Sequence, residues 1–373
     1  MKVNWRNIKW ARNSYAVLYA ACEKNNITLN PVDHPEDDVT LYSLNSINAG
    51  QYLDEMKDAG CITIAGGPHP SARYEDILNY ADYVIVGEGE HTLPALLKAI
   101  ENNSPVLPRG VATKGQYIKC DKCVFLDAYE PFTRVKGYIE VSRGCPFGCG
   151  YCQTPRLFGG HMRHRSIDAI VRASEAYSDV RFLTPNALSY GSRDGRKPAF
   201  EKLKKLLGSF DRDKNLYLGT FPSEVRPEFV TDESAEIIVD FCKNKKLHFG
   251  AQSGSERVLK AINRGHTTED VINAVEKCKD YGIFPIVDYI VGLPGETKED
   301  QKETIEQIKW VCRFGKVHAH YFTPLPGTPL ADEKPAPLIP EIEKTLGRLS
   351  LAGRATGSWM NAELRFFTKN KNQ

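Results

Sequence analysis

The chain has 373 residues, 41% of them hydrophobic and 26% charged, with a formal net charge of +2. That balance builds two or three globular domains and excludes a disordered or fibrous chain. It leaves no broad basic footprint for nucleic acid. No apolar run reaches membrane-spanning length, and residues 1–12 lack the apolar core of a signal peptide. Ten cysteines without regular spacing predict reduced thiols and a cytoplasmic location.

Residues 1–104 alternate between strands and helices. Strands are expected over 2–5, 27–32, 39–43, 62–65 and 83–86, and helices over 15–22, 51–58 and 92–100. Alternation of this kind predicts a parallel, doubly wound α/β domain of Rossmann type, with ligands beyond the carboxyl ends of the strands. Gly66-Gly67 and Gly87-Glu88-Gly89-Glu90 fall at two such ends. Residues 105–136 read as a connector, with a hairpin around Asp121-Lys122 that sets Cys120 and Cys123 opposite each other.

From 137 to 330 a strand-then-helix unit recurs. Strands are expected over 138–142, 180–184, 215–220, 247–252, 284–291 and 316–322. Helices are expected over 166–177, 198–208, 232–243, 268–281 and 298–313, with Ser166 and Thr267 or Thr268 as caps and Gly282 as a stop. A full (β/α)8 barrel takes about 250 residues, so six units predict a partial (β/α)6 barrel with its site at the carboxyl ends of the strands. Residues 331–373 form a tail, with a helix over 340–352 and an aromatic pair, Phe366-Phe367, placed to close the barrel or cover a substrate.

The densest chemistry lies just past the first barrel strand. Cys145, Cys149 and Cys152 are spaced C-x3-C-x2-C in a loop with glycines at 144, 148 and 150. Thiolates at this density suit an iron–sulfur cluster or zinc. A cubane cluster is normally held by four cysteines, so three leave one iron open to a small molecule. A structural zinc, drawing Cys120 and Cys123 into a C-x2-C…C-x2-C set, is the competing reading.

The C-x3-C-x2-C spacing resembles the signature of the radical SAM enzymes. In that superfamily the open iron binds S-adenosylmethionine (SAM), and the reduced [4Fe–4S] cluster cleaves it to a 5′-deoxyadenosyl radical. Gln252-Ser253-Gly254-Ser255, followed by Asn263-Arg264-Gly265, resembles the fourth-strand segment of the cobalamin-type enzymes and the methylthiotransferases. Ile290-Val291-Gly292-Leu293-Pro294-Gly295 resembles the fifth-strand adenine motif, and Tyr151 matches the aromatic that lies against adenine. The resemblance thus implies SAM contacts at Tyr151, Asn186, Ser223, Glu224, Gln252, Ser253, Arg264, Gly292 and Pro294, with the three cysteines as metal ligands. It also implies an electron donor such as ferredoxin or flavodoxin.

Gly66-Gly67-Pro68-His69-Pro70, Ala81-Asp82-Tyr83 and Gly87-Glu88-Gly89-Glu90 resemble the cobalamin (B12)-binding domain found ahead of many of these enzymes. Ser43, Gly66, Gly67, Gly87, Glu88 and Gly89 are then the expected cobalamin residues. The usual D-x-H-x-x-G is missing: after the first strand the chain reads Asn7-Ile8-Lys9-Trp10-Ala11-Arg12-Asn13, without the cobalt-ligating histidine.

Plainer roles stand beside these. Gly292 and Pro294 build a tight turn, His318 and His320 are core histidines on one strand face, and the basic cluster Arg193, Arg196, Lys197, Lys202, Lys204 and Lys205 is a solvated face. Three functions stay open: cobalamin-dependent methylation of an unactivated carbon in a small-molecule or peptide substrate, radical SAM chemistry without cobalamin, and a non-enzymatic, zinc-stabilised binding protein.

Overall fold

The computed structural model describes residues 1–359, so Phe366-Phe367 lies outside the described residues. The chain divides into two compact units. Residues 1–138 with 156–158 form the first, and the described residues from 139 onward, without 156–158, form the second.

The first unit runs β1 (Val3–Arg6), α1 (Arg12–Glu23), β2 (Leu29–Val32), β3 (Val39–Ser43), α2 (Leu53–Lys57), β4 (Ile62–Gly66), α3 (Pro68–Ala72), α4 (Tyr74–Ile77), β5 (Tyr83–Ile85), α5 (Gly89–Glu101), β6 (Val111–Thr113) and β7 (Gln116–Tyr117). Its sheet order is β2-β1-β3-β4-β5-β6-β7. The first five strands are parallel. Such a sheet is covered on both faces, so its strands carry little solvent-facing polarity. Val39, Thr40, Leu41 and Tyr42 are accordingly all buried. Asp82 gives the Ala81-Asp82-Tyr83 motif a structural role, since its carboxylate accepts from the Thr63 amide (2.8 Å) and hydroxyl (3.1 Å).

The connector differs from expectation. Its hairpin lies earlier, with β6 and β7 antiparallel about Lys114-Gly115 and added to the edge of the sheet. Gly115 supplies the positive φ of +86° that a two-residue hairpin loop needs, which Asp121-Lys122 lacks. Residues 120–125 form no strand, with Cys120 half-buried and Cys123 exposed.

The second unit contains β8 (Ile139–Glu140), β9 (Ser142–Arg143), α6 (Thr154–Phe158, of which 156–158 belong to the first unit), β10 (Arg163–His164), α7 (Ile167–Ser174), β11 (Asp179–Leu183), α8 (Phe200–Leu207), β12 (Asn215–Tyr217), α9 (Asp232–Phe241), β13 (Lys246–Gln252), α10 (Glu256–Ala261), α11 (Thr268–Asp280), β14 (Phe284–Val291), α12 (Lys298–Val311), β15 (Lys316–Tyr321), α13 (Pro340–Leu351) and β16 (Ala355–Thr356). β8, β11 and β12 are neighbours, as are β13, β14, β15 and β16, all parallel. A bridge from Val225 to Phe249 joins the two rows. Six parallel strands in chain order, each followed by a helix, make the partial barrel. Along β13 and β14, Leu247, Phe249, Ala251, Val287, Tyr289 and Val291 are buried in one alternating set, leaving His248, Gln252, Asp288 and Ile290 on the other face.

The starts of α7 and α11 follow the side chains expected to cap them, and α12 adds a third cap. Ser166 caps α7, and Thr267 and Thr297 form capping boxes with Asp270 and Asp300. Asp300 does more than cap. It accepts from the Ser255 hydroxyl (2.7 Å) and pairs with Arg257, tying the end of β13 to the start of α12. Burial works against its ionisation, but the bonds from Arg257, Ser255 and Thr297 win and hold its carboxyl well below the ordinary aspartate range. Asp300→Asn should therefore cost about 1.5–3 kcal/mol at pH 7, the range for hydrogen bonds to a charged group. A depressed folded-state pKa gives stability that is full above roughly pH 4 and lost as pH falls through the folded value. Urea denaturation at pH 7 and at a lower pH should show the gap between variant and wild type narrowing; a constant gap would mean the carboxylate is not held ionised.

Candidate active site

The cysteine loop follows β9 and has little regular structure of its own. Gly144 stands at φ +89°, where a Cβ would lie 2.2 Å from the His161 carbonyl oxygen, so only glycine fits. The Cys145 amide donates to Gly159 O (3.2 Å) and the Gly150 amide to Ile262 O (2.8 Å), while Gly150 O accepts from the Leu330 amide (3.1 Å). Asn263 reaches Gly148 O at 3.2 Å. The loop is thus pinned from the segments after α6, α10 and β15.

Two arginines close on it. The Arg226 guanidinium lies 3.6 Å from the Phe147 ring centroid and donates to the Arg264 carbonyl. Arg264 Nη1 is 3.8 Å from Cys149 Sγ, and its Nη2 donates to Gly250 O at 2.9 Å. Arg264 is not the solvated helix-end charge of the plainer reading, being only 8% exposed. Burial acts against its charge, but Tyr151 and Cys149 outweigh this and raise its pKa. Burial raises the Cys145 thiol, while the Phe147 amide and Arg226 pull it back. Arg196, exposed as expected, also donates to Pro146 O at 2.7 Å. Positive charge beside the thiols is the setting a thiolate-held cluster needs.

Among the described residues, no three His, Cys, Asp or Glu side chains converge closely enough to hold a single metal ion. A cubane offers a separate iron to each thiolate, so its ligands stand further apart than those of one zinc.

Beside the loop lies a cavity of about 290 Å³ lined by Tyr151, Glu224, Gln252, Asp288, Ile290, His318, His320, Tyr321, Phe322, Thr323 and Leu325. Gln252 owes its place to a bulge: the register with β14 slips between Gly250 and Gln252, and Gln252 sits at φ +69°. Bulges re-aim side chains in this way. Glu224 faces the cavity, and burial followed by the neighbouring Asp288 pushes its carboxyl up to about 7. Asn186 and Ser223, after β11 and β12, are 2% and 3% exposed, and Asn186 Nδ2 and Ser223 Oγ have no hydrogen-bond partner. Such orphaned groups suit the polar portions of a ligand.

Other expected residues serve the scaffold. The Ser253 hydroxyl is fully buried and lies 3.4 Å from Thr304 Oγ1, away from the cavity lining. Gly292 donates to Glu296 (2.9 Å) and accepts from the Ala336 amide (3.0 Å), so both its backbone groups are committed within the turn that contains Pro294. The two histidines are not sealed in a core. His318 and His320 line the cavity, with His318 bonded to Asp288 (3.1 Å) and His320 to Ser358 (3.0 Å). Asp288, Tyr321 and Phe322 are lining residues that sequence reasoning missed. The period-two alternation along β14 and β15 carried the signal for Asp288, which shares a face with Ile290.

In the first unit the strand order reverses direction between β1 and β3, the usual ligand crevice of this topology. The loops meeting there carry Trp10 and Ile47, 72% and 50% exposed, and Asn48 bonds across to Lys9 O (3.5 Å). Ser43 is half-buried at the end of β3, paired in register with Gly66. The expected glycines divide their work. A Cβ on Gly67 would lie 2.5 Å from Leu44 O, and one on Gly89 would lie 3.0 Å from Leu18, whereas Gly87, at φ +91°, faces open space. Glu88 accepts from the Val124 amide (3.0 Å) and so holds the connector. An open, partly apolar strand-end surface fits a large flat ligand.

Residues 139–308 match the Radical SAM superfamily and residues 39–97 match the B12 binding domain. The chain carries a radical SAM domain preceded by a B12-binding domain, the two domain families that use a [4Fe–4S] cluster with SAM and cobalamin. The fold aligns with the radical SAM methyltransferase TsrM from Kitasatospora setae, at a TM-score of 0.67 and 16% identity, over 89% of this chain and 77% of that one. It also aligns with the cobalamin-dependent SAM radical enzyme OxsB, at a TM-score of 0.61 and 16% identity, over 82% of this chain and 51% of that one. In sequence it is 32% identical to the tRNA-2-methylthio-N(6)-dimethylallyladenosine synthase of Petrotoga mobilis, over 53% of this chain and 46% of the relative. With the same enzyme of Anaplasma phagocytophilum it shares 28% identity, over 81% of this chain and 68% of the relative. The chain thus spans only about half of the first of these relatives.

Replacing Cys145, Cys149 or Cys152 by Ala should abolish cluster assembly, while changing Cys120 and Cys123 should leave it intact. Iron and sulfide analysis after anaerobic reconstitution checks this, with about four irons per chain expected for one cubane. Zinc in place of iron, lost with Cys120, would contradict it.

Proposed function

We propose that this enzyme is a cobalamin-dependent methyltransferase acting on an unactivated carbon. The observation that carries this is the presence in one chain of a radical SAM barrel and a B12-binding sheet, in a fold shared with TsrM over 89% of its length. Cys145, Cys149 and Cys152 would hold the cluster. Tyr151, Asn186, Ser223 and Gln252 would hold SAM, with Arg264 supporting the loop from behind and the Gly292–Pro294 turn shaping the adenine side. Ser43, Gly66, Gly67, Gly87, Glu88 and Gly89 would frame cobalamin. When bound, the reduced cluster supplies the electron that cleaves SAM, and cobalamin supplies the methyl group. The chain's own work is to orient these groups and exclude water.

A second reading, methylthio transfer, is favoured by the sequence relatives. Against it, Cys22 and Cys61 of the first unit are poorly placed for a second cluster. Cys22 is fully buried, its thiol pushed up to about 12 by burial, and Cys61 bonds to Thr40 (3.5 Å).

Protein reconstituted anaerobically with iron, sulfide and cobalamin should retain a corrinoid spectrum and, once reduced, convert SAM to 5′-deoxyadenosine. Failure to retain cobalamin sinks the methyltransferase reading, and about eight irons, two cubanes, would favour methylthio transfer. Residues 7–11 contain no histidine, and His69 is committed to Ser46 (3.2 Å). Electron paramagnetic resonance of the Co(II) form should therefore lack nitrogen superhyperfine splitting, and its appearance would refute the absence of an axial nitrogen. Gln252→Ala should weaken SAM binding by about 1–3 kcal/mol, the cost of leaving a partner unsatisfied. Ser253→Ala should do less, because its hydroxyl faces α12. Equal losses in equilibrium dialysis would contradict that assignment.

A further inference from the structure

An exposed basic turn backs the cysteine loop, and neither the cavity nor the cysteines make use of it. The segment after β11 reads Gly191-Ser192-Arg193-Asp194-Gly195-Arg196-Lys197, with three cations and one carboxylate. Its shape is tightly fixed. The Ser192 hydroxyl accepts from the Gly195 amide (2.9 Å) and donates to Lys197 O (2.5 Å). Asp194 accepts from the amides of Arg196 (2.8 Å) and Lys197 (3.0 Å). Those bonds, that from Lys197 first, hold its carboxyl below the ordinary aspartate range. The one negative charge is thus turned onto the turn's own backbone, while Arg193, Arg196 and Lys197 stay exposed. The side chains of Arg193 and Lys197 form no hydrogen bond or ion pair with any described residue. Lys202, on α8, adds a further cation beside them, its ammonium donating to Gly191 O (3.2 Å). Lys204, further along α8, is by contrast matched by Glu201 and Glu233.

The turn rests directly on the cysteine loop. A Cβ on Gly195 would lie 2.9 Å from Pro146 Cγ, so the two segments are in contact. Arg196 donates to Pro146 O at 2.7 Å, and its guanidinium lies 5.2 Å from the Phe147 ring centroid. Pro146 and Phe147 directly follow Cys145. An exposed guanidinium is therefore one hydrogen bond and one residue away from Cys145. None of residues 191–202 lines the cavity, so a macromolecule seated on the turn leaves the cavity clear. A surface of one sign steers a partner of the opposite sign and speeds its encounter. Weak electron-transfer complexes are small, below about 1,200 Å², so a turn and the start of α8 are enough to anchor one. We propose that the Ser192–Lys197 turn is the docking surface of an acidic one-electron carrier protein, with Arg193, Arg196 and Lys197 as its cationic contacts and Pro146-Phe147 as its approach to Cys145. The carrier loses one electron and the iron–sulfur cluster gains it, with no bond made or broken. The assignment rests on the radical SAM reading of the cysteine loop and does not depend on cobalamin.

The probe is an acidic flavodoxin, whose hydroquinone gives up one electron to become the semiquinone. Its binding to the anaerobically reconstituted full chain is followed by the anisotropy of a dye on the flavodoxin, and its reduction of the cluster by stopped-flow absorbance. Arg193→Glu with Lys197→Glu reverses two exposed charges that hold nothing in the fold. The double variant should weaken flavodoxin binding and slow cluster reduction about tenfold or more at low salt, and the difference should shrink as ionic strength rises. Arg193→Gln with Lys197→Gln, which removes the charges without reversing them, should fall between. Iron content, reduction by dithionite and dithionite-driven SAM cleavage should match wild type in both. The control is Lys243→Glu with Lys245→Glu, two exposed residues just ahead of β13, at the far end of that strand from Gln252. It carries the same change in charge and should behave as wild type. Equal losses in the control and the first variant, or no loss in either, would overturn the proposal. So would a first variant that loses affinity for a tRNA transcript while keeping its affinity for flavodoxin, because the turn would then serve nucleic acid. Wild-type protein that holds no iron would overturn the radical SAM reading, and this docking surface with it.

Discussion

The second unit depends on how its cysteine loop is held. A loop with three cysteines and three glycines between positions 144 and 152 has few side chains with which to fix its own shape. The barrel supplies the constraint. Phe147 is gripped by Arg226, Arg226 bonds the carbonyl of Arg264, and Arg264 spans from Cys149 to the backbone of β13 at Gly250. The same carbonyl of Gly250 sits at the bulge that turns Gln252 toward the cavity. Cluster loop and cofactor wall are therefore set by one buried guanidinium. Burying a charge is tolerated only where its donors are used, and Arg264 meets that condition through two of its nitrogens, while Nε stays unpaired.

Electrostatics divide the second unit into two regions. Around the cysteines the near charges are Arg226, Arg264 and Arg196. Across the cavity they are Glu224 and Asp288, with His318 and His320 as the basic side chains among the described lining residues. An anion-stabilising end and a cation-stabilising end thus lie within one barrel.

The legible part of this molecule is the part written in local periodicity. The β-strands over 39–43 and 284–291 have the expected bounds, and α7 and α11 begin at the residues expected to cap them. Short helices such as α3, α4 and α10 escaped because four to six residues carry no stripe. The hairpin was misplaced because β-propensity around Asp121-Lys122 outweighed the simpler signal of Lys114-Gly115. Within the site, spacing identified the cysteines, and Tyr151, Glu224 and Gln252 do share the cavity. Sequence could not show that Ser253 turns to α12, nor that His318 and His320 line the cavity, since alternation reveals that residues share a face but not what lies opposite it.

The glycines of the first unit bear on how such a sheet can change its ligand. At Gly67 the backbone of β4's exit presses on Leu44, so that any side chain would collide with main chain that cannot yield. At Gly87, one strand over, nothing lies within 4 Å. The two positions look interchangeable in the sequence, yet one is a fixed wall and the other an unfilled margin. At φ +91° the backbone of Gly87 itself resists a side chain, so the exit of β5 offers room to a ligand rather than to substitution, while the exit of β4 is closed by both backbone and space.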